Sequence, residues 1–195
     1  MKIFLKEPCT TNFGKNNLYN DVSKTEKSMS KLALDDKELR KLPLEERFSK
    51  LEYIFKNSDD ESARWDAVWL AGEIPVEVGL KGPLFDKVAD LFAWVLKNDN
   101  NAVVRHEVCY QIAGRNMRNK IPDLAESSLH DKSALVRHEA IECLGIIYAF
   151  DKIDVMEKGL NDSSEYVRET ARMVLKRMER IKGKEFNPES EFVAY

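Results

Sequence analysis

Between Asp35 and Ile181 the apolar residues of the chain recur at spacings of three and four, the period of helices that bury one face. Leu44, Phe48, Leu51, Ile54 and Phe55 form the first such stripe, with Pro43 at a position that suits a helix start. Polar residues 57–60 break it, and a second helix carrying Trp65 and Trp69 is expected over 63 to about 72. Pro75, Gly79 and Gly82 then predict a long connection over 73–82. A third helix is expected over 83–97, where Leu84, Val88, Leu91, Phe92 and Val95 share a side. Polar turns at 98–101, 130–133 and 161–164 separate the rest into helices over 102–113, 121–129, 134–148, 152–160 and 165–181. The pattern therefore predicts an all-α chain of about four helical hairpins.

The hairpins repeat. Their second helices open with Ala63-Arg64, Val104-Arg105, Val136-Arg137 and Val167-Arg168, and the last three arginines stand 32 and 31 residues apart. A period near 30 residues marks stacked supersecondary units whose matched positions face the same way. Each of those three arginines follows an aspartate by six residues: Asp99, Asp131 and Asp162. An aspartate in the inter-helix turn can accept from helix-start amides and pair with an arginine. In the first unit Asp59 stands five residues before Arg64 instead. The ladder resembles that of HEAT repeats, which implies a short α-solenoid.

Composition narrows the rest only modestly. The chain has 195 residues, 43% hydrophobic and 33% charged, which suits one soluble domain. A net charge of −3 gives no reason to expect nucleic acid or a membrane surface as partner. No apolar run approaches the ~20 residues of a membrane span, and the apolar start is too short for a secretion signal. Residues 1–34 are polar and aperiodic and are expected to form a loosely ordered arm. Residues 35–182 then make the repeat domain, and 183–195 a polar tail. Cys9, Cys109 and Cys143 are odd in number and lack zinc spacing, so reduced thiols in a cytoplasmic protein are expected. Cys109 and Cys143 fall in apolar helical segments and read as buried small hydrophobes.

Candidate chemistry sits just after the arginines. The next residue is Trp65, His106, His138 and Glu169 in turn, and the one after is Asp66, Glu107, Glu139 and Thr170. Two of the three histidines thus occupy matched positions in neighbouring units, each followed by a glutamate. Stacked helices run ~8–10 Å apart, so two such imidazoles can reach one ion through bonds of ~2 Å. Two histidines and one carboxylate leave coordination positions open, a set suited to iron that meets dioxygen. His130 lies in a turn and reads as a surface residue.

At these residues the sequence resembles the deoxyhypusine hydroxylase family. The resemblance rests on Arg105-His106-Glu107-Val108-Cys109-Tyr110 and on Val136-Arg137-His138-Glu139-Ala140 with Leu144-Gly145. It extends to Leu44-Glu45-Glu46-Arg47-Phe48 and to Val167-Arg168-Glu169-Thr170 with Leu175-Lys176-Arg177-Met178-Glu179. The family enzyme has two halves and four His-Glu motifs, and this chain resembles one half. The resemblance implies His106, His138 and Glu139 as iron ligands, with dioxygen as co-substrate. It sets Glu107 beside the metal, receiving the substrate's amine or ligating in its own right; Glu107 and Asp66 are together expected to form an acidic wall that attracts a cationic chain. A two-fold homodimer is expected to restore the missing half and hold two irons, and the resembled protein substrate is the hypusine-bearing translation factor. The rival expectation is a non-catalytic HEAT adaptor for a protein partner, with or without a structural metal. A hydrolase is disfavoured, because no nucleophile or positioned acid accompanies the pairs.

Overall fold

The computed structural model describes residues 35–183, and the expected N-terminal arm, Cys9 and nearly all of the polar tail lie outside them. Among the described residues nine α-helices run in order: α1 Asp36–Lys41, α2 Leu44–Asn57, α3 Glu61–Glu77, α4 Pro83–Asn98, α5 Ala102–Gly114, α6 Ile121–His130, α7 Ala134–Ile146, α8 Ile153–Lys158 and α9 Glu165–Ile181. The pairs α2/α3, α4/α5, α6/α7 and α8/α9 are four hairpins. Their first helices pack in one layer and their second helices in another, each against its counterpart in the neighbouring unit. The core lies between the layers, with Leu51, Ile74, Phe92, Ile112, Leu124, Ile141 and Leu144 fully buried. The fold is the short all-α solenoid of HEAT-like hairpins that the periodicity predicts. No helix among the described residues is long and apolar enough to cross a membrane.

Three boundaries differ from expectation. Helix α3 runs five residues past the predicted stop, through Pro75. A proline in the last turn forfeits one backbone bond, and here burial of Ile74 and Pro75 offsets that loss. The helix closes where Gly79 and Leu80 take positive φ and Leu80 N donates to Pro75 O at 2.8 Å. Helix α7 stops at Ile146, because Tyr148 is left-handed at φ 56° and Ala149 N donates back to Leu144 O. Asn116 closes α5 the same way, with Met117 N on Ile112 O. Buried Met117 and Ala149 follow these turns, the hydrophobic contact that usually accompanies such a cap. The first helix predicted for the last hairpin, 152–160, is only six residues of α-helix between two 3-10 turns.

The ladder links units rather than closing within them. Arg105 Nε donates to Asp131 Oδ2 of the next turn at 2.7 Å, while its Nη1 donates to its own Asp99 carbonyl at 2.9 Å. Arg137 repeats both bonds with Asp162 and Asp131, and Arg64 repeats them with Asp99 and Ser58. The irregular first unit therefore joins the ladder despite its displaced aspartate. Asp99, Asp131 and Asp162 each also accept from the amide two residues on.

Close stacking of the second helices needs a missing side chain at Gly145. A Cβ there would lie 2.6 Å from Val174 Cγ1 on α9. Valine is β-branched and cannot swing aside. Gly145→Ala is expected to destabilise the protein by about 1–3 kcal/mol, read as a lowered urea midpoint with unchanged slope.

Candidate metal centre

The exposed face of the second-helix layer is set by the ladder. Each ladder arginine, bonded to the inter-helix turns, fixes its helix rotationally, so the next residue, one step of about 100° round the helix, emerges on the outer face. His106 and His138 emerge there on α5 and α7, two helices packed directly together. His106 Nε2 stands 3.1 Å from Glu139 Oε2, and His138 Nε2 stands 4.0 Å from the same oxygen. Glu139 thus stands between the two imidazoles, while the ligand atoms that all lie close together among the described residues are those of His138, Glu139 and Glu142, with His106 joined to them through Glu139. Glu107 lies at their side, with Oε1 3.3 Å from His106 Nδ1.

Hydrogen bonding orients the second imidazole. Thr170 Oγ1 donates its single proton to the Tyr166 carbonyl at 2.9 Å, so toward His138 Nδ1, at 2.5 Å, it acts as acceptor. His138 Nδ1 therefore donates to Thr170, and its Nε2 is left to face Glu139. Thr170 comes from α9, so three consecutive repeats build the centre. A ligating histidine is held in this way by a partner on its other nitrogen.

Electrostatics fit the same picture. The bond to Glu139 raises the His106 pKa, against an opposing effect of burial. Burial pushes the Glu139 carboxyl up, but the His106 bond and charge outweigh it and hold the carboxyl below its usual range. Cys143 lies beneath, its thiol 3.4 Å from Glu139 Oε1. Burial raises both Cys109 and Cys143 far above the ordinary thiol range, so neither offers a thiolate.

Two residues at the centre carry no role in the sequence reading. Glu142 follows His138 by one helical turn, its Oε2 3.9 Å from His138 Nε2. His138, Glu139 and Glu142 offer ligand atoms all within 4.8 Å of one another. The i,i+4 spacing was a usable signal for it. Thr170 was visible only as a break in the His-Glu pattern. Asp66, by contrast, has no bond to either histidine. Desolvation raises its pKa, with Asp36 and Asp60 adding to the rise, so its charged neighbours lie toward the start of α3.

The donor types, imidazole and carboxylate, are those of a divalent transition-ion site. Two atoms each ~2.1 Å from one ion stand ~3.0–4.2 Å apart as the angle between them opens from right to straight. The distances from Glu139 Oε2 to the two imidazoles, 3.1 and 4.0 Å, fall within that range, but His106 and His138 do not share a set of ligand atoms all within 4.8 Å of one another, so one ion held by both rings requires them to draw closer. Imidazole with carboxylate suits iron, zinc or manganese more than a hard alkaline-earth ion.

Residues 89–176 match the family described as HEAT repeats. Deoxyhypusine hydroxylase of Arabidopsis thaliana is 37% identical over 84 residues, 42% of this chain and 26% of that protein. Deoxyhypusine hydroxylase of Bos taurus is 30% identical over 105 residues, 52% of this chain and 32% of that protein. The solved structure of human deoxyhypusine hydroxylase in complex with glycerol superposes with a TM-score of 0.60 at 21% identity. It covers 74% of this chain and 48% of that one. The matched segments are thus about a quarter to a third of the curated relatives' length and about half of the solved chain. By sequence over part of its length, and by fold over most of it, the chain resembles one half of deoxyhypusine hydroxylase.

Proposed function

We propose that the chain is an iron-dependent oxygenase that hydroxylates a deoxyhypusine-like amine side chain on a protein. The observation that carries this reading is the convergence of two imidazole Nε2 atoms from neighbouring repeats on one carboxylate oxygen. In this reading His106, His138 and Glu139 hold the iron, and Glu107 receives the substrate's ammonium, with Asp66 further out on the same wall. Iron, when bound, supplies the activation of dioxygen, the co-substrate. The chain's own residues do the positioning. Thr170 holds the His138 ring in the ligating tautomer, and the ladder keeps α5 and α7 in register. The protein substrate is the hypusine-bearing translation factor, and a reducing cytosol suits the free buried thiols.

A homodimer completes the reading. Val103, Leu135 and Tyr166 each stand two residues before a ladder arginine, and all three are exposed, as is Met173 on α9. Exposed apolar residues arrayed around a polar centre mark a surface that meets another protein. A two-fold interface would present the same centre twice, giving two irons facing each other.

The test is anaerobic reconstitution of the full chain with ferrous iron, followed by native mass, metal content and turnover of a deoxyhypusine-bearing protein. The expected result is a dimer with one iron per chain and a product heavier by one oxygen atom. A stable monomer, or protein that takes up no iron, would sink the dimeric di-iron reading. Partner binding without turnover would favour the adaptor.

A further inference from the structure

Next to the His-Glu centre the same face turns aromatic. Trp65 stands after Arg64 as His106 and His138 stand after theirs, and Trp69 and Tyr110 lie one turn further on. The Trp65 and Trp69 ring centroids are 5.9 Å apart at an interplanar angle of 59°. Trp69 and Tyr110 are 6.0 Å apart at 45°, so the cluster bridges α3 and α5. Two indoles of one helix remain 38% and 36% exposed, although a core was available to bury them.

Charge says what would lie on these rings. An aromatic face attracts a cation through its quadrupole. The protein's own cations already use other rings: Lys56 lies 5.7 Å from the Trp94 centroid and Arg177 lies 4.8 Å from that of Tyr148. Trp65 and Trp69 have no such partner among the described residues. The arginines of their helices, Arg64 and Arg105, are committed to Asp99 and Asp131. The neighbouring repeats add the carboxylates of Glu107, Glu139 and Glu142 to this face. An aliphatic chain bearing ammonium groups matches both halves, with methylenes and a cation for the rings and a cation for the carboxylates.

We propose that Trp65, Trp69 and Tyr110 bind the ammonium-bearing aliphatic chain of the substrate and guide it toward the carboxylates of the His-Glu pairs. The identity of that substrate rests on the hydroxylase reading; the binding of an alkylammonium chain does not.

The test uses the metal-free full chain with Trp94→Phe, so that only Trp65 and Trp69 fluoresce. Spermidine is titrated in, with 1,8-octanediol as the uncharged probe. Spermidine is expected to change the emission saturably and the diol is not. Trp65→Leu and Trp69→Leu, each checked for intact helicity, are expected to weaken spermidine about tenfold, with part restored by Trp69→Phe. In the iron-loaded enzyme the leucine variants should raise KM about tenfold while kcat is kept. An equal response to the diol, or unchanged affinity in both leucine variants, overturns the proposal. So does emission that tracks protein concentration, which would make the rings an interface between copies. Spermidine binding without any hydroxylation removes the hydroxylase reading and leaves this one standing. Hydroxylation with unchanged KM in the variants does the reverse.

Discussion

Asp131→Ala is expected to cost about 3–5 kcal/mol of stability, because it strands a buried arginine. Arg105 and Asp131 are only 3% and 7% exposed at their side chains. Two bonds join them, at 2.7 and 2.8 Å, and they raise the Arg105 pKa. The guanidinium cannot lose its proton to escape the loss. Asp131 is also the joint between two repeats: its carboxylate takes Arg105 behind it and its carbonyl takes Arg137 ahead. In thermal unfolding of a chain this size the loss corresponds to a fall in Tm of roughly 6–20 °C. Asp131→Asn keeps the turn and one acceptor, and should lie between the two. An Asp131→Ala variant with wild-type Tm would mean that the ladder is decoration on a stack held by its core alone.

The neighbouring rung carries a pH dependence. The bond from Arg137 holds the Asp162 carboxyl below its ordinary range, against burial. A depressed carboxylate contributes stability that is present above its unfolded pKa and is lost as pH falls through the folded one. Acid should therefore weaken the stack from below the ordinary aspartate range downward, and Asp162→Asn should flatten that limb of the stability curve.

The parts legible in the sequence were those fixed by period. Arginine spacing set the repeat, and the repeat set which residues share a face, so His106 and His138, each with its following glutamate, could be placed on one wall without coordinates, whereas the choice of Glu139 over Glu107 as ligand came from the family resemblance. Connections between units were not legible, because spacing alone does not say whether Asp131 pairs with Arg137 in its own unit or Arg105 in the last. Helix α3 was cut short because Pro75 and Gly79 are breakers by local propensity, whereas tertiary burial of Ile74 overrode them. Tyr148 was assigned to a helix for the opposite reason: nothing in an aromatic side chain announces a left-handed turn. Thr170 escaped notice as an orienting group, since its value lies in a hydroxyl proton already committed to Tyr166.

The double variant His106→Ala, His138→Ala is expected to abolish metal uptake while leaving the helical fold in place. Each imidazole supplies one nitrogen to the centre, and the remaining carboxylates, Glu139, Glu107 and Glu142, form an oxygen set far less suited to iron. Both rings sit on the outer face and anchor none of the core, so far-ultraviolet circular dichroism should stay close to that of the parent. A finer variant separates ligand from support. Thr170→Val keeps the shape but removes the acceptor that fixes the His138 proton on Nδ1. It should weaken iron binding about ten- to a hundredfold without changing the stoichiometry. Proton competition gives an independent reading. In the metal-free protein Glu139 raises the His106 pKa, so the ion must displace a proton held more firmly than usual. Apparent affinity should climb with pH through and above the ordinary histidine range, and the climb should flatten in His106→Ala. Iron retained by the double variant, or affinity indifferent to pH, would move the metal away from these residues and remove the chemical basis of the hydroxylase reading.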